Sequence, residues 1–286
     1  MKKKILIIAG GFSKEREISL KTAKGVFNAI KKKYITKICE PNGELIKNLR
    51  AFKPNVVFNA LHGRYGEDGY IQSILELENI KYTHSGVLSS SIAIDKELSK
   101  KIFKKEKILT PQYFKYKFHN SEKKPFLINK IKKKIGFPVV IKPFNEGSSV
   151  EVYICNERNI LKKLNKLLPY KEIMIEKYIP GREIQVAIMG KRKLGAIELV
   201  PKRKFYDYQA KYNIKSKTKH IIPVKIEKKK MKQVLSIALK AHKVIGCRGV
   251  TRSDFKYYNN KFYLLEINTQ PGMTSLSLVP EIARYN

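Results

Sequence analysis

Residues 5–9 read Ile-Leu-Ile-Ile-Ala, a continuous apolar run that ends at once in Gly10-Gly11. A strand with only apolar side chains has to be covered on both faces. That is the situation of a strand inside a parallel sheet wrapped by helices. Ser13 then offers an N-cap hydroxyl to a following helix. The alternation recurs. A second apolar strand at 56–60 runs into the glycine-rich loop 61–69, a helix is expected at 71–77 and a short strand at 80–83. This order predicts a doubly wound α/β unit, whose ligand-holding loops follow the carboxyl ends of its strands.

Three lysines ahead of the first apolar run imitate a signal peptide, but five apolar residues are too few for its hydrophobic core. The run is read as the first strand of a cytoplasmic protein. No apolar stretch approaches the length of a membrane span, so no membrane association is expected. The chain has 286 residues, 43% of them hydrophobic, enough for two or three subdomains. Cys39, Cys155 and Cys247 are widely spaced and form no CxxC or Cys/His metal pattern, so reduced thiols are expected.

Sixty Lys+Arg against 24 Asp+Glu give a net charge of +36. Such a charge suits a nucleic-acid binder. The lysines, however, come as short runs at 2–4, 31–33, 132–134 and 228–230, spread along the chain and not interleaved with aromatic stacking residues. No zinc finger, KH loop or RNP pattern accompanies them. A lysine-coated enzyme is the better reading, with a surface that attracts anionic substrates such as ATP and no specific nucleic-acid partner.

The middle of the chain changes character. A helix is expected at 92–105, a strand at 136–142 running into Pro-Phe-Asn-Glu-Gly-Ser-Ser-Val, and strands at 174–179 and 183–189 around Pro180-Gly181. A loop is read at 203–216 and a helix at 227–245. Strands at 249–258 and 262–268 follow, joined through Asn259-Asn260.

That last pair ends in polar groups. Glu266 and Asn268 stand at i and i+2 and share one strand face, as do Arg252 and Asp254 on the preceding strand. A two-residue turn at Asn259-Asn260 would put Asp254 opposite Leu265. A three-residue loop would put it opposite Glu266, with Leu264 and Phe262 on the same face. Otherwise a bulge is needed. Two carboxylates and an amide oxygen form a hard-oxygen set suited to Mg²⁺ or Mn²⁺. An exposed polar strand end with ordinary salt bridges is the competing reading.

Other segments add weaker signals. After Lys142, a Gly-Ser-Ser turn supplies the N–H and hydroxyl donors that cradle phosphates, although it is no Walker A loop. Free backbone groups at the strand end around Glu176 could read an adenine edge, and Glu183 could bind ribose hydroxyls. Glu15 opens a helix, where a carboxylate is favoured by the dipole alone. His62 lies in the glycine-rich loop, and Lys211-Tyr212 in a Tyr- and Lys-rich one.

In this order, GGFSKEREISL at 10–20, ALHGRYGEDGYIQ at 60–72, THSGVLSSSIAIDK at 83–96, IKPFNEGSSV at 141–150, EKYIPGREIQVAI at 176–188, FYDYQAKY at 205–212, RSD at 252–254 and LLEINTQPGMTSLSLVP at 264–280 resemble the D-alanine–D-alanine ligases of the ATP-grasp superfamily over nearly the whole chain. The resemblance implies an α/β (α+β) ATP-grasp fold. Its parts would be an N-terminal doubly wound α/β domain at 1–92, a central ATP-binding subdomain at 93–180 and a C-terminal α+β subdomain at 181–286. It implies ATP as co-substrate, two Mg²⁺ (or Mn²⁺), D-alanine as substrate and a homodimer. Lys96 and Lys142 would contact ATP phosphates, and Ser149 would bind ATP. Glu176, Lys177, Tyr178 and Ile179 would hold adenine, and Glu183 ribose. Asp254, Glu266 and Asn268 would bind the metals, and Arg252 would stabilise the transferring phosphoryl group. Glu15, supported by Ser148 and Tyr212, would bind the ammonium of the first D-alanine near His62. Gly272 and Ser277 would hold the second, and Lys211 would reach the γ-phosphate. In this family a tyrosine at the position of Tyr212 accompanies D-alanine as acceptor and a phenylalanine accompanies D-lactate.

The sequence departs from the family at Glu151, where many members have glycine, and at Leu276, where histidine is frequent; members usually continue past the position of Asn286 into a final helix. The reading competes with a D-alanine–D-lactate or other D-amino acid ligase on the same scaffold. From a different class it competes with a basic nucleic-acid-binding protein that keeps an inactive ligase fold.

Overall fold

The computed structural model describes residues 2–118, 124–144, 151–201 and 218–286. The first apolar run becomes β1 (Lys4–Ile8), central in a parallel sheet of order β2 (Ile35–Cys39), β1, β3 (Val56–Asn59). Its alternate side chains are buried on opposite faces. Leu6 and Ile8 pack with Leu49, Ile71 and Leu75, from α2 (Leu45–Phe52) and α3 (Tyr70–Leu77), and Ile7 packs with Ala23 and Val26 of α1 (Arg16–Ile30). The doubly covered strand expected from the sequence is therefore present.

Two local expectations are corrected here. Ser13 is not the N-cap. The helix starts at Arg16 with Glu15 in the cap position, and Ser13 Oγ instead accepts the Glu15 N–H at 3.1 Å. The strand expected at 80–83 shrinks to a single bridge between Val57 and Tyr82.

The helix expected at 92–105 is two helices, α4 (Val87–Ile94) and α5 (Lys96–Lys105). Asp95 breaks them apart in an extended conformation, and its side chain accepts the N–H groups of Glu97 and Leu98 at 2.8 and 3.0 Å. An aspartate that caps one helix cannot continue the previous one.

An antiparallel sheet follows, of order β4 (Tyr113–Lys117), β7 (Glu172–Lys177), β5 (Val139–Pro143), β6 (Tyr153–Cys155). It packs on α6 (Lys124–Lys134) and α7 (Ile160–Leu167) through Ile131, Ile141, Leu164, Leu167 and Ile175. Glu151, the residue standing for a family glycine, has φ +54, the left-handed conformation in which glycine is at ease.

The third sheet has the order β10 (Lys219–Ile221), β9 (Arg192–Val200), β8 (Arg182–Met189), β11 (Val250–Tyr258), β12 (Lys261–Asn268) and is antiparallel throughout. One face packs on α8 (Lys228–Val244) and on Phe103 of α5, through Ile184, Val186, Phe255 and Leu264. Part of the other face is covered by α9 (Leu278–Tyr285), whose Leu278 and Ile282 meet Ala187, Ile197 and Leu199. The remainder of that face carries the polar residues of the site.

Candidate active site

The polar face owes its composition to one extra residue. Asn259 and Asn260, with φ +47 and +59, form a two-residue turn that pairs Tyr258 with Lys261. Continued without a break, this register would place Glu266 opposite Ser253, towards the apolar core. The register instead shifts between Asp254 and Phe255, so that Phe255 pairs with Leu264, Asp254 with Glu266 and Arg252 with Asn268. Leu265 is the bulged residue. The turn's register faces Leu264 and Phe262 into the core, and the bulge then turns Glu266 and Asn268 onto the open face. Of the three arrangements considered from the sequence, the two-residue turn with a bulge is the one found. Leu264 and Phe262 do not share the polar face.

On this face Arg252 donates from Nε and Nη2 to the two oxygens of Asp254, at 2.7 and 3.0 Å. Lys96 Nζ, from the first turn of α5, lies 4.0 Å from Glu266 Oε2 and donates to the Phe144 carbonyl at 3.3 Å. One lysine therefore reaches both the carboxylate face and the end of β5. Asn268 Oδ1 accepts the Gln270 N–H at 2.7 Å. On β8, Glu183 pairs with Lys256 at 3.0 Å and receives the Gln185 amide at 3.4 Å.

The donor set of Asp254, Glu266 and Asn268 fits a hard divalent cation. Among the described residues no three His, Cys, Asp or Glu side chains converge on a metal position, so the amide oxygen of Asn268 is needed to complete the set.

A second cluster lies at the four-stranded sheet. Lys142 Nζ donates to Glu176 Oε1 at 2.5 Å, and Lys100 Nζ stands 3.0 Å from Glu176 Oε2 and donates to Thr110 Oγ1 at 2.6 Å. All three charged residues are buried. Burial pushes the Glu176 carboxyl up, but the ammonium groups of Lys100 and Lys142 outweigh it and hold the carboxyl below its ordinary range. Burial draws Lys100 down to about 8, against the attraction of Glu176. The Glu176 side chain is thus turned into this cluster. The expected free backbone at the strand end is also partly used: Lys177 N–H donates to Gln112 O at 2.8 Å and Tyr178 N–H to Pro138 O at 3.2 Å. Lys177 Nζ binds the carbonyls of Gly136 and Phe137, both at 3.3 Å.

The third cluster joins the first sheet to the segment after β12. Ser13 Oγ, besides accepting from Glu15, donates to the His62 carbonyl at 2.7 Å. The buried Glu15 carboxylate lies against Gly63, where an added Cβ would come 2.8 Å from Glu15 Oε2. His62 Nε2 meets Thr22 Oγ1 at 3.0 Å and Nδ1 meets Glu67 Oε1 at 3.3 Å. Gly272 passes close by: a Cβ there would lie 2.9 Å from Ser277 Oγ and 3.8 Å from the His62 ring. Ser277 Oγ accepts the Thr274 N–H at 2.9 Å. Asn59 and Gln270 exchange hydrogen bonds, which ties the end of β3 to the end of β12.

Glu15, His62, Gly272 and Ser277 are therefore brought together; so are Lys96, Asp254, Glu266, Asn268 and Arg252, and separately Lys142 and Glu176. Ser148, Ser149, Lys211 and Tyr212, with the loop at 203–216, lie outside the described residues. Sequence reasoning missed Lys100, Thr22, Glu67 and Gln270. For Lys100 a signal existed, because it stands four residues after Lys96 and so shares its helix face.

Known proteins resemble this chain over nearly its whole length. A family model for the D-ala D-ala ligase C-terminus matches residues 102–286, and one for the D-ala D-ala ligase N-terminus matches 37–85. A D-alanine–D-alanine ligase of Pelagibacter ubique is 63% identical over 286 residues, 100% of this chain and 93% of that protein. The crystal structure of D-alanine–D-alanine ligase from Bacillus anthracis superposes with a TM-score of 0.85 at 33% identity, covering 99% of this chain and 91% of that one. The same enzyme complexed with ATP gives 0.82 at 30%, with coverage of 99% and 91%. The fold is the α/β ATP-grasp fold expected from the sequence. The chain belongs to the D-alanine–D-alanine ligase family.

Proposed function

We propose that this chain joins two D-alanines to D-alanyl-D-alanine with consumption of ATP, for the synthesis of peptidoglycan precursors. It is an ATP-dependent ligase that forms a carbon–nitrogen bond. The observation that carries the chemistry is the polar face on which Arg252, Asp254, Glu266 and Asn268 are set side by side by the bulge, with Lys96 reaching in from α5.

A carboxylate oxygen of the first D-alanine attacks the γ-phosphorus of ATP, and ADP leaves. The free amine of the second attacks the acyl carbon, forming the C–N bond as the C–O bond to phosphate breaks, and the attacking nitrogen gives up a proton. Glu15 holds the ammonium of the first substrate, and its seat is fixed by Ser13 and the His62 loop. Ser277 receives the carboxylate of the second. Lys96 and Lys142 face the nucleotide's phosphates, the 176–179 segment lies along adenine, and Glu183 takes the ribose. Arg252 stabilises charge on the transferring phosphoryl group and then on the tetrahedral oxyanion. Asp254, Glu266 and Asn268 would hold Mg²⁺ or Mn²⁺, which supplies charge neutralisation at the phosphates when bound. Ser148, Ser149, Lys211 and Tyr212 keep the roles implied by the resemblance.

The three-part division at 1–92, 93–180 and 181–286, a homodimer, the cytoplasm as the working compartment and the absence of a specific nucleic-acid partner belong to the same proposal. Among the described residues no helix is long and apolar enough to cross a membrane. The experiment that tests the function is D-alanine-dependent ADP release with Mg²⁺, with the products identified by mass spectrometry.

A further inference from the structure

Lys100 has no part in the chemistry described so far, yet its ammonium is fully enclosed. Removing a charge from water is costly unless the group is paired and hydrogen-bonded. Lys100 meets both conditions, through Glu176 Oε2 at 3.0 Å and Thr110 Oγ1 at 2.6 Å. Its partner is a carboxylate that already binds another lysine. Glu176 Oε1 holds Lys142 at 2.5 Å. Two ammonium groups on one carboxylate leave the cluster with one net positive charge. Without Lys100, Glu176 and Lys142 would form a neutral pair.

The elements around the cluster allow this. Lys142 and Glu176 come from β5 and β7, adjacent strands in which Lys142 pairs with Met174 and Val140 with Glu176. Lys100 comes from α5, the helix that also carries Lys96 to Glu266. The Tyr113 ring of β4 lies 5.6 Å from the Lys100 ammonium and favours its charge. Glu176 is the buried acid that opens the 176–179 segment.

We propose that Lys100 is a positioning residue for the nucleotide: by sharing Glu176 with Lys142, it keeps the cluster cationic and fixes the Lys142 ammonium towards the phosphates. The proposal rests on the reading of Lys142 as a phosphate-binding residue. Lys100 touches no substrate and acts through the carboxylate. The depressed affinity of Lys100 for its proton agrees with a buried cation held by one shared partner.

The test is a double-mutant cycle of Lys100→Met and Glu176→Gln, read as KM for ATP, KM for D-alanine and thermal midpoint. Lys100→Met in the wild-type background is expected to raise KM for ATP by about tenfold and to change KM for D-alanine less than about twofold. In the Glu176→Gln background the same substitution should change KM for ATP by less than about twofold, because the route of action is gone. Equal effects in both backgrounds, or an unchanged KM for ATP with an altered thermal midpoint, would reduce Lys100 to a structural cation and overturn the proposal. Should Lys100→Met fail to fold, Lys100→Gln enters the same cycle and is judged by the same criteria. Lys142→Ala distinguishes the two layers. If it leaves the affinity for ATP unchanged, the phosphate reading itself fails. If it weakens ATP while Lys100→Met does not, only the role of Lys100 fails.

Discussion

Asp254 stands opposite Glu266, and not opposite Leu265, because a bulge follows the four residue pairs that a two-residue turn closes in simple register. The bulge is what brings Glu266 to the open side of the sheet beside Asp254. Glu266→Gln keeps the side-chain size and the fold but removes one anionic ligand. D-alanine-dependent ADP release should fall by at least about 100-fold, with the thermal midpoint little changed, since the interaction acts chiefly when charge moves in the transition state. Near-normal turnover by this variant would separate the carboxylate pair from the chemistry.

Deletion of Leu265 tests the bulge itself. Without the extra residue the strands close in simple register, with Phe255 opposite Leu264 and Asp254 still opposite Glu266. The variant is expected to fold and to keep D-alanine-dependent ADP release, as read by chemical denaturation and steady-state kinetics. Loss of the fold or of turnover would show that the bulge does more than set the register.

Gly272 is held between Ser277 and the His62 ring, and a Cβ there would come 2.9 Å from Ser277 Oγ. Gly272→Ala should displace Ser277 and raise KM for D-alanine by about tenfold while leaving KM for ATP within about twofold, a loss of about 1.4 kcal/mol in substrate binding. Steady-state kinetics with each substrate varied in turn decides this.

His84 gives a pH prediction. Its buried ring packs edge-on against Phe58 with centroids 5.3 Å apart. Burial, with a smaller contribution from the charge of His62, pushes its pKa down from 6.5 to about 4, against a weaker opposing effect of the Val250 backbone. The folded state therefore keeps the ring neutral where the unfolded chain would protonate it. Stability from this group is intact above about 6.5 and is lost as pH falls towards about 4, by an amount on the order of 3 kcal/mol. His84→Asn, which tolerates the residue's φ of +70, should flatten the fall in thermal midpoint between about pH 6.5 and 4.5. The same slope in wild type and variant would assign the acid sensitivity elsewhere.

The dispersed lysines predict only weak, sequence-independent affinity for duplex DNA at physiological salt, with Kd on the order of 10⁻⁶ M or weaker. A tight, sequence-selective complex in filter binding would favour the nucleic-acid reading of the charge.

Much of this molecule could be read from its sequence, because strong local signals and ligand chemistry coincide. The apolar run of β1 and the polar ends of β11 and β12 stand where periodicity and residue type put them. What could not be read depends on neighbours. Asp95 stands within a helical pattern, but its side chain caps α5 and so ends α4. The strand expected near Ile80 failed because one bridge is all that β3 makes there. The face of Glu266 depended on a bulge that no propensity marks. Lys100, one lysine in a lysine-rich helix, gains its meaning only from burial beside Glu176.

The most direct test of the account is a product analysis in which the protein is offered ATP, Mg²⁺ and an equimolar mixture of D-alanine, D-lactate and D-serine. The predicted result is D-alanyl-D-alanine as the main product, with one ADP and one phosphate released per dipeptide. ATP turnover without dipeptide, or a depsipeptide or D-alanyl-D-serine as the main product, would contradict it.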